Sequence, residues 1–126
     1  MELTQFDVVS PANEGIWMNL EHPVTGEPLE VKIKLAGVDS DYYKKELRRQ
    51  QNKRFKKGFR KMNAEELESE TIELLVACTL DWEGVELEGQ ALECNPENVR
   101  KVYKQFPWIK EQVDNFINDR ANFLKN

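Results

Sequence analysis

The alternation of hydrophobic and polar residues predicts a β-hairpin near the N-terminus. From Leu29 to Leu35 the two classes alternate strictly, which is the period-two pattern of a strand with one buried face. The apolar run 16–20 predicts the partner strand, and the two prolines and the glycine of residues 22–28 predict the turn between them. The first fifteen residues predict a lead-in that holds at most one short strand.

A helical pattern follows this hairpin. Asp39 or Ser40 can cap the helix, and its apolar positions fall on one stripe that we expect to face the core. The stripe consists of Leu47, Gln51, Phe55, Phe59 and Met62. Gly58 lies within it and favours a break, because glycine costs about 1 kcal/mol relative to alanine inside a helix.

Capping signals predict the starts of the later helices. Asn63 and Glu66 form the pattern of a capping box ahead of the apolar stretch 72–80, which we interpret as the central core helix, with a strand at its end left open. Asn95 before Pro96 is a strong helix start, and the segment between these two helices is predicted to be a glycine-punctuated loop. After Pro107 we expect a last helix of about five turns. Its apolar face consists of Ile109, Val113, Phe116, Ile117, Phe123 and Leu124.

Together these patterns predict an α+β fold, in which an N-terminal β-hairpin is followed by a mostly helical body of about four helices. The 126 residues suit a single domain, 1–126. Within it we distinguish a hairpin region (1–37), a basic helical segment (38–62) and a helical C-terminal part (63–126). No apolar run is long enough to span a membrane and no signal peptide is evident, so we expect a cytoplasmic protein that does not contact membranes.

The charge of the chain is unevenly distributed. Residues 44–61 contain ten basic side chains and one acid, a local charge of +9, whereas the rest of the chain carries eight basic and 22 acidic residues, a charge of −14. The basic residues that we consider for contact with an acidic partner or nucleic acid are Lys44, Arg48, Arg49, Lys53, Arg54, Lys56, Lys57 and Arg60. Phe55 or Phe59 could stack on bases. The alternatives are a solvated helix whose aromatics join the core, docking on acids of the same chain or of a second copy, and ordering on a partner.

The sequence contains none of the motifs that carry common enzyme chemistry. We find no glycine-rich phosphate loop, no nucleophile–histidine set and no paired metal-ligand spacing, and His22 is the only histidine. We therefore expect a protein that is not an enzyme and that needs no cofactor or metal. Cys78 and Cys94 do not make a disulfide framework.

Arg120 is unusual because it falls among the apolar positions of the predicted last helix. A snorkelling stem or a buried ion pair is the common explanation. The alternative is that this face receives a partner protein, with aromatic residues as anchors. The candidate partner-binding residues are Trp108, Phe116, Arg120 and Phe123.

A distinctive order of landmarks runs from Thr79 onward. It begins with Asp81-Trp82-Glu83-Gly84-Val85, Gly89 and Leu92. It continues with Asn95-Pro96-Glu97-Asn98-Val99 and Pro107-Trp108-Ile109. It ends with Val113, Phe116-Ile117 and Arg120-Ala121-Asn122-Phe123-Leu124. This order resembles that of the tail assembly chaperones of long-tailed bacteriophages. The basic stretch 44–61 is not part of the family pattern.

This resemblance implies a function in protein binding, without chemistry. Such chaperones bind the long helical tape measure protein, keep it soluble while tail tube subunits assemble around it, and are absent from the finished virion. The implied partners are the tape measure protein and the tail tube protein, in the host cytoplasm, with a homo-oligomer as a further possibility. The alternative from the charge pattern is a small nucleic-acid-binding regulator that uses residues 44–61.

Overall fold

A computed structural model describes residues 1–58 and 61–124, which form an α+β fold with a small antiparallel sheet. The α-helices of the described residues are α1 (Val9–Glu14), α2 (Asp41–Lys57), α3 (Ala64–Cys78), α4 (Pro96–Gln105) and α5 (Pro107–Asn118). The strands are β1 (Ile16–Glu21), β2 (Pro28–Leu35), β3 (Thr79–Glu83), β4 (Glu86–Leu87) and β5 (Gln90–Ala91). Two short 3-10 helices lie near the ends, at Leu3–Phe6 and Arg120–Phe123.

The predicted hairpin is present and is extended by a third strand. β1, β2 and β3 form an antiparallel sheet in that order, with Ile33 opposite Met18 on one side and Trp82 on the other. These three side chains are buried, so the row faces the core. The core itself joins this sheet face to residues of α3, α4 and α5.

The hairpin does not begin the fold, because α1 precedes it; the expectation of a lead-in with at most one short strand is wrong. Asp7, one residue before the N-cap Val8, accepts hydrogen bonds through its carboxylate from the backbone N–H groups of Val9 and Ser10 and from the Ser10 hydroxyl, which satisfies free N–H groups in the first turn of α1. Pro11 is compatible with the first helical turn, where the backbone N–H has no partner within the helix. The described residues therefore contain five α-helices, whereas about four were predicted.

The caps predicted for α2, α3 and α4 are confirmed. The Ser40 hydroxyl accepts from the Tyr43 N–H, the Asn63 side chain from the Glu66 N–H, and the Asn95 side chain from the Asn98 N–H. α2 ends at Lys57, immediately before Gly58, as the predicted break requires.

The stripe of α2 that was predicted to face the core is exposed in the C-terminal half of the helix, so the prediction is wrong there. Phe55 is 76% exposed and Gln51 is exposed, whereas the buried position of the helix is Gln50. The Gln50 amide donates to the Glu46 carboxylate and to the backbone carbonyl of Glu70 on α3, so this polar residue is satisfied. Phe59 lies outside the described residues.

Two corrections concern the C-terminal half. The alternative of a strand at the end of the stretch 72–80, which the sequence left open, is the one found. This strand, β3, runs on to Glu83, so the prediction of a loop is wrong for residues 81–83, because β2 offers them a hydrogen-bonding edge. The last helix is shorter than predicted, since α5 ends at Asn118. The Asp119 carboxylate then accepts from the Ala121 N–H and starts the 3-10 helix, which turns the chain so that Phe123 is buried.

Candidate partner-binding cleft

A cleft of about 550 Å³ lies between the β1–β2 turn and α5. Its apolar lining comes from Met18, Val24, Phe116 and the ring of Pro23. Polar groups complete it, and these are Asn19, Glu21, His22, Thr25, Gly26, Gln112, Asn115, Asp119 and Asn122. No lysine or arginine lines the cleft within the part of the chain that the structure describes, so its charged groups are the carboxylates of Glu21 and Asp119.

Gln112 fixes the two walls of the cleft to each other. Its amide oxygen accepts from the backbone N–H of Glu21 at 3.0 Å, and its amide nitrogen donates to the Glu21 carbonyl at 2.9 Å. The Gln112 side chain thus satisfies the backbone N–H and carbonyl of Glu21, at the end of the edge strand β1, as a neighbouring strand would. The hairpin and α5 are held in register by this contact between residues 91 positions apart.

The β1–β2 turn is built around His22. Its Nδ1 atom accepts from the backbone N–H groups of Val24 at 3.1 Å and Thr25 at 3.2 Å, so the proton of the neutral ring is on Nε2. The His22 backbone closes the turn by pairing with Glu27 and Gly26. The role that we can assign to this histidine is therefore to shape the turn.

Phe116 reaches the cleft from α5 and is supported from behind by Phe123. Their rings meet edge to face, with centroids 5.7 Å apart and planes at 75°. Phe123 is only 2% exposed and packs close to Gly37. The Asn122 amide donates to the Phe116 carbonyl at 3.0 Å, which ties the C-terminal segment to the end of α5.

The position of Arg120 among apolar residues is explained by an ion pair, since this residue does not lie on an apolar helical face. Because α5 ends at Asn118, Arg120 lies in the 3-10 helix, and its guanidinium donates to both oxygens of Asp39, at 2.7 and 2.9 Å. Its side chain is 66% exposed. The hydrogen bond from Arg120 lowers the pKa of Asp39 below its ordinary value of 3.8, with desolvation opposing this effect.

The Asp39→Asn substitution should therefore destabilise the protein at neutral pH and cease to do so in acid. A carboxylate whose pKa is lowered by folding contributes stability above its unfolded pKa, and this contribution disappears as the pH falls through the folded pKa. Urea unfolding of both proteins, at neutral pH and at several values below 3.8, measures the difference. Arg120→Gln should lower the free energy of unfolding by the same amount, and the double variant should lose no more than either single variant. If the difference between wild type and Asp39→Asn did not change with pH, the assignment of the ion pair would be contradicted.

The structure brings together only some of the four candidate partner-binding residues. Phe116 lines the cleft, and the ring of Phe123 packs against that of Phe116. Arg120 fixes the C-terminal 3-10 helix through its ion pair with Asp39. Trp108 lies in the first turn of α5, about 12 Å along the helix axis from Phe116, and packs against the core. Sequence reasoning missed the polar residues of the cleft, of which Gln112 is the most important, because no local pattern distinguishes it from any surface glutamine.

The basic residues of α2 are partly neutralised within the chain. Arg54 pairs with Glu70 on α3 at 2.5 Å, and Arg49 pairs with Glu46 on its own helix at 2.7 Å. Lys53 and Lys57 line a second cleft, of about 500 Å³, which they share with acidic side chains of α3. Lys44, Lys45, Arg48 and Lys56 are exposed. Arg60 lies outside the described residues.

The two cysteines are free thiols, of which Cys78 is buried and Cys94 is partly buried. Burial raises the pKa of Cys78 to about 12 and that of Cys94 to about 11, so neither is a thiolate at neutral pH. Among residues 1–58 and 61–124, no cluster of three or more histidine, cysteine or acidic side chains could hold a metal ion. In the same residues, no helix combines the length and apolar character needed to cross a bilayer.

The chain was also compared with known proteins. It matches no protein-family model, no curated protein and no solved structure.

Proposed function

We propose that this protein is a tail assembly chaperone of a long-tailed bacteriophage. In this proposal it binds the tape measure protein in the host cytoplasm, keeps it soluble while the tail tube assembles, and is not part of the finished virion. It acts by binding alone, without chemistry on its partner. The cleft between the β1–β2 turn and α5 is the proposed contact site.

The landmarks that carry the family resemblance occupy structural junctions, which supports the proposal. The Trp82 indole N–H donates to the Leu92 carbonyl at 2.8 Å and holds the segment between β3 and α4. Asn95 caps α4, and Pro107 begins α5. Residues scattered over the C-terminal half are therefore parts of one arrangement that presents α5, with Phe116, beside the hairpin.

The cleft is the observation that carries the proposal. A chaperone for a long amphipathic helix must accept apolar side chains on a face bounded by polar groups. One turn of a helix, about 10 to 12 Å wide and 5.4 Å long, occupies roughly 400 to 600 Å³, which is the size of this cleft. Its acidic and amide rim favours a helix in which basic or amide residues flank the apolar ones.

Co-expression with the tape measure protein encoded beside this gene tests the proposal. The wild-type chaperone should increase the soluble fraction of the tape measure protein and co-purify with it in the presence of nuclease. Asn115→Arg should abolish co-purification, because Asn115 is exposed, lines the cleft and can be enlarged without disturbing the core.

Asn118→Arg is the matched control for this experiment. Asn118 is exposed on the same helix, three residues further on, and does not line the cleft. This variant should retain co-purification. Failure of the wild-type protein to solubilise or retain the tape measure protein would overturn the proposed function, whereas equal binding by both variants would overturn only the assignment of the cleft.

A further inference from the structure

The sheet has an open edge along β1, which pairs with β2 on one side only. In a strand, the backbone N–H and carbonyl groups of successive residues point to opposite sides. The direction in β1 is fixed at its C-terminal end, where the groups of Glu21 bond to Gln112 and those of the next residue, His22, bond across the turn. The alternation therefore directs the backbone groups of Trp17 and Asn19 away from β2.

These outward groups of β1 are not used within the chain. In the described ranges 1–58 and 61–124, the N–H and carbonyl groups of Trp17 and Asn19 bond to no other residue. Both residues are exposed. On the opposite edge of the sheet, in contrast, the N–H of Trp82 in β3 donates to the Asp81 carboxylate. Two donors and two acceptors of β1 are thus available to a further strand.

The composition of β1 does not protect this edge. Residues 16–20 include no charged residue, proline or glycine, whereas natural edge strands are commonly protected from pairing by lysine, proline or a bulge. The edge is closed only at its C-terminal end, because the Gln112 amide occupies the backbone groups of Glu21. An added strand therefore exchanges its hydrogen bonds with Trp17 and Asn19.

We propose that β1 binds an extended basic peptide segment, which joins the sheet as an antiparallel fourth strand. The segment's residues opposite Trp17 and Asn19 form the backbone hydrogen bonds, and their side chains lie on the outer face of the sheet. The residues between them point to the other face, where Met18 is buried and where Met18 and Phe116 line the cleft. Polar side chains suit the first set of positions, and apolar side chains suit the second.

The charge beside the edge favours a basic segment over a second copy of this chain. The carboxylates of Glu21 and Asp119 line the adjoining cleft, and no lysine or arginine lines it within the described part of the chain. Lysine side chains on the added strand complement these acids. A second copy of β1 would instead bring the same acids toward each other, which is unfavourable.

This inference goes beyond the proposed function and does not rest on it. The proposed function concerns a helical turn against α5, whereas an added strand needs the backbone groups of β1. Asn19 belongs to both sites, since it also lines the cleft. Because one helical turn alone would fill the cleft, a helix and a strand bind alternately. The test below uses synthetic peptides, so its result is separate from that of the co-expression experiment.

Fluorescence anisotropy of the full-length protein with a labelled heptapeptide of alternating lysine and valine tests the proposal. Binding should be measurable at low salt. Methylating the backbone nitrogens of the two central lysines should reduce the affinity about fivefold or more, since every register then loses a hydrogen bond to Trp17 or Asn19. Methylating two valines instead is the matched control and should change the affinity less than about twofold, because those N–H groups point to solvent. A heptapeptide of alternating glutamate and valine should not bind.

Two variants of Asn19 place the binding at the edge. Asn19→Pro removes the outward N–H and leaves the hydrogen bonds to β2, which is where a strand tolerates proline. It should weaken binding of the lysine–valine peptide about fivefold or more, whereas Asn19→Thr keeps the N–H and should bind as wild type does. Circular dichroism checks that both variants are folded. The two methylated peptides test the same hydrogen bonds in the unaltered protein, whether or not Asn19→Pro folds.

Three results would overturn the proposal. The first is the absence of binding of the lysine–valine peptide at low salt. The second is equal affinity for the two methylated peptides, which would indicate contact through side chains without an added strand. The third is a dimer of the protein that excludes the peptide and that Asn19→Pro dissociates, which would assign the edge to a second copy.

Discussion

Gly84→Ala is expected to lower the free energy of unfolding by about 3 to 5 kcal/mol, since it combines backbone strain with a steric overlap. Gly84 has a φ of +81°, which side chains other than that of glycine rarely adopt. A Cβ atom at this position would overlap the carbonyl oxygen of Glu30 on β2. Backbone atoms cannot rotate away as a side chain does, so β2 and the end of β3 would have to separate. Urea unfolding followed by circular dichroism measures the loss.

Gly89→Ala is the control that separates the two causes. Gly89 has almost the same φ, +79°, but no atom lies within 4 Å of the position that its Cβ would occupy. This variant should lose only about 1 to 2 kcal/mol, the cost of a left-handed conformation with a side chain. Equal losses at the two positions would mean that Gly84 does not pack against β2 as described.

Leu75→Ala is expected to cost about 2 to 5 kcal/mol, the range found when a buried leucine is truncated in a core that cannot collapse around the cavity. Leu75 is 1% exposed and lies on α3, which contacts α4, α5 and β3. Typical domains have a free energy of unfolding of about 5 to 15 kcal/mol, so this change removes a large part of it. The midpoint of urea unfolding should fall while its slope stays the same.

Leu67→Ala gives the matched comparison on the same helix. Leu67 is 52% exposed, eight residues before Leu75. Its truncation removes little buried surface, and alanine is the better helix former, so the change should stay within about 0.5 kcal/mol. A loss at Leu67 as large as that at Leu75 would contradict the placement of α3 in the core.

The parts of the fold that could be predicted from sequence are those fixed by local chemistry. The alternation in β2 is local, because side chains on successive residues point to opposite faces. The caps of α2, α3 and α4 are local too, since each involves a side chain and a backbone N–H three residues further on. Gly58 ends α2 for the same kind of reason.

The errors lie where a distant part of the chain decides the structure. β3 is a strand because β2, more than forty residues earlier, offers it an edge. The side of α2 that packs on α3 carries Gln50, whose amide donates to the backbone carbonyl of Glu70. Phe55 therefore lies on the exposed part of the helix, although its side chain is apolar. α1 was not predicted, although its support is local: the Asp7 carboxylate accepts from the backbone N–H groups of Val9 and Ser10 in its first turn.

The candidate cleft could be predicted only in part. The apolar pattern of the last helix indicated Phe116, which lines the cleft, but the facing wall is the β1–β2 turn, about 90 residues earlier in the chain. No property of Gln112 or Glu21 in sequence indicates that they meet. Arg120 seemed to interrupt an apolar helical face, and the end of α5 at Asn118 removes that difficulty.

Site-specific photo-crosslinking at the cleft tests the central proposal most directly. A photoreactive benzoylphenylalanine replaces Asn115 in the cleft, or Lys101 on the exposed surface of α4 as the control, and each protein is co-expressed with the tape measure protein and irradiated. The proposal predicts a covalent adduct with the tape measure protein from position 115 and none from position 101. The absence of an adduct at position 115, or adducts of equal yield at both positions, would contradict it.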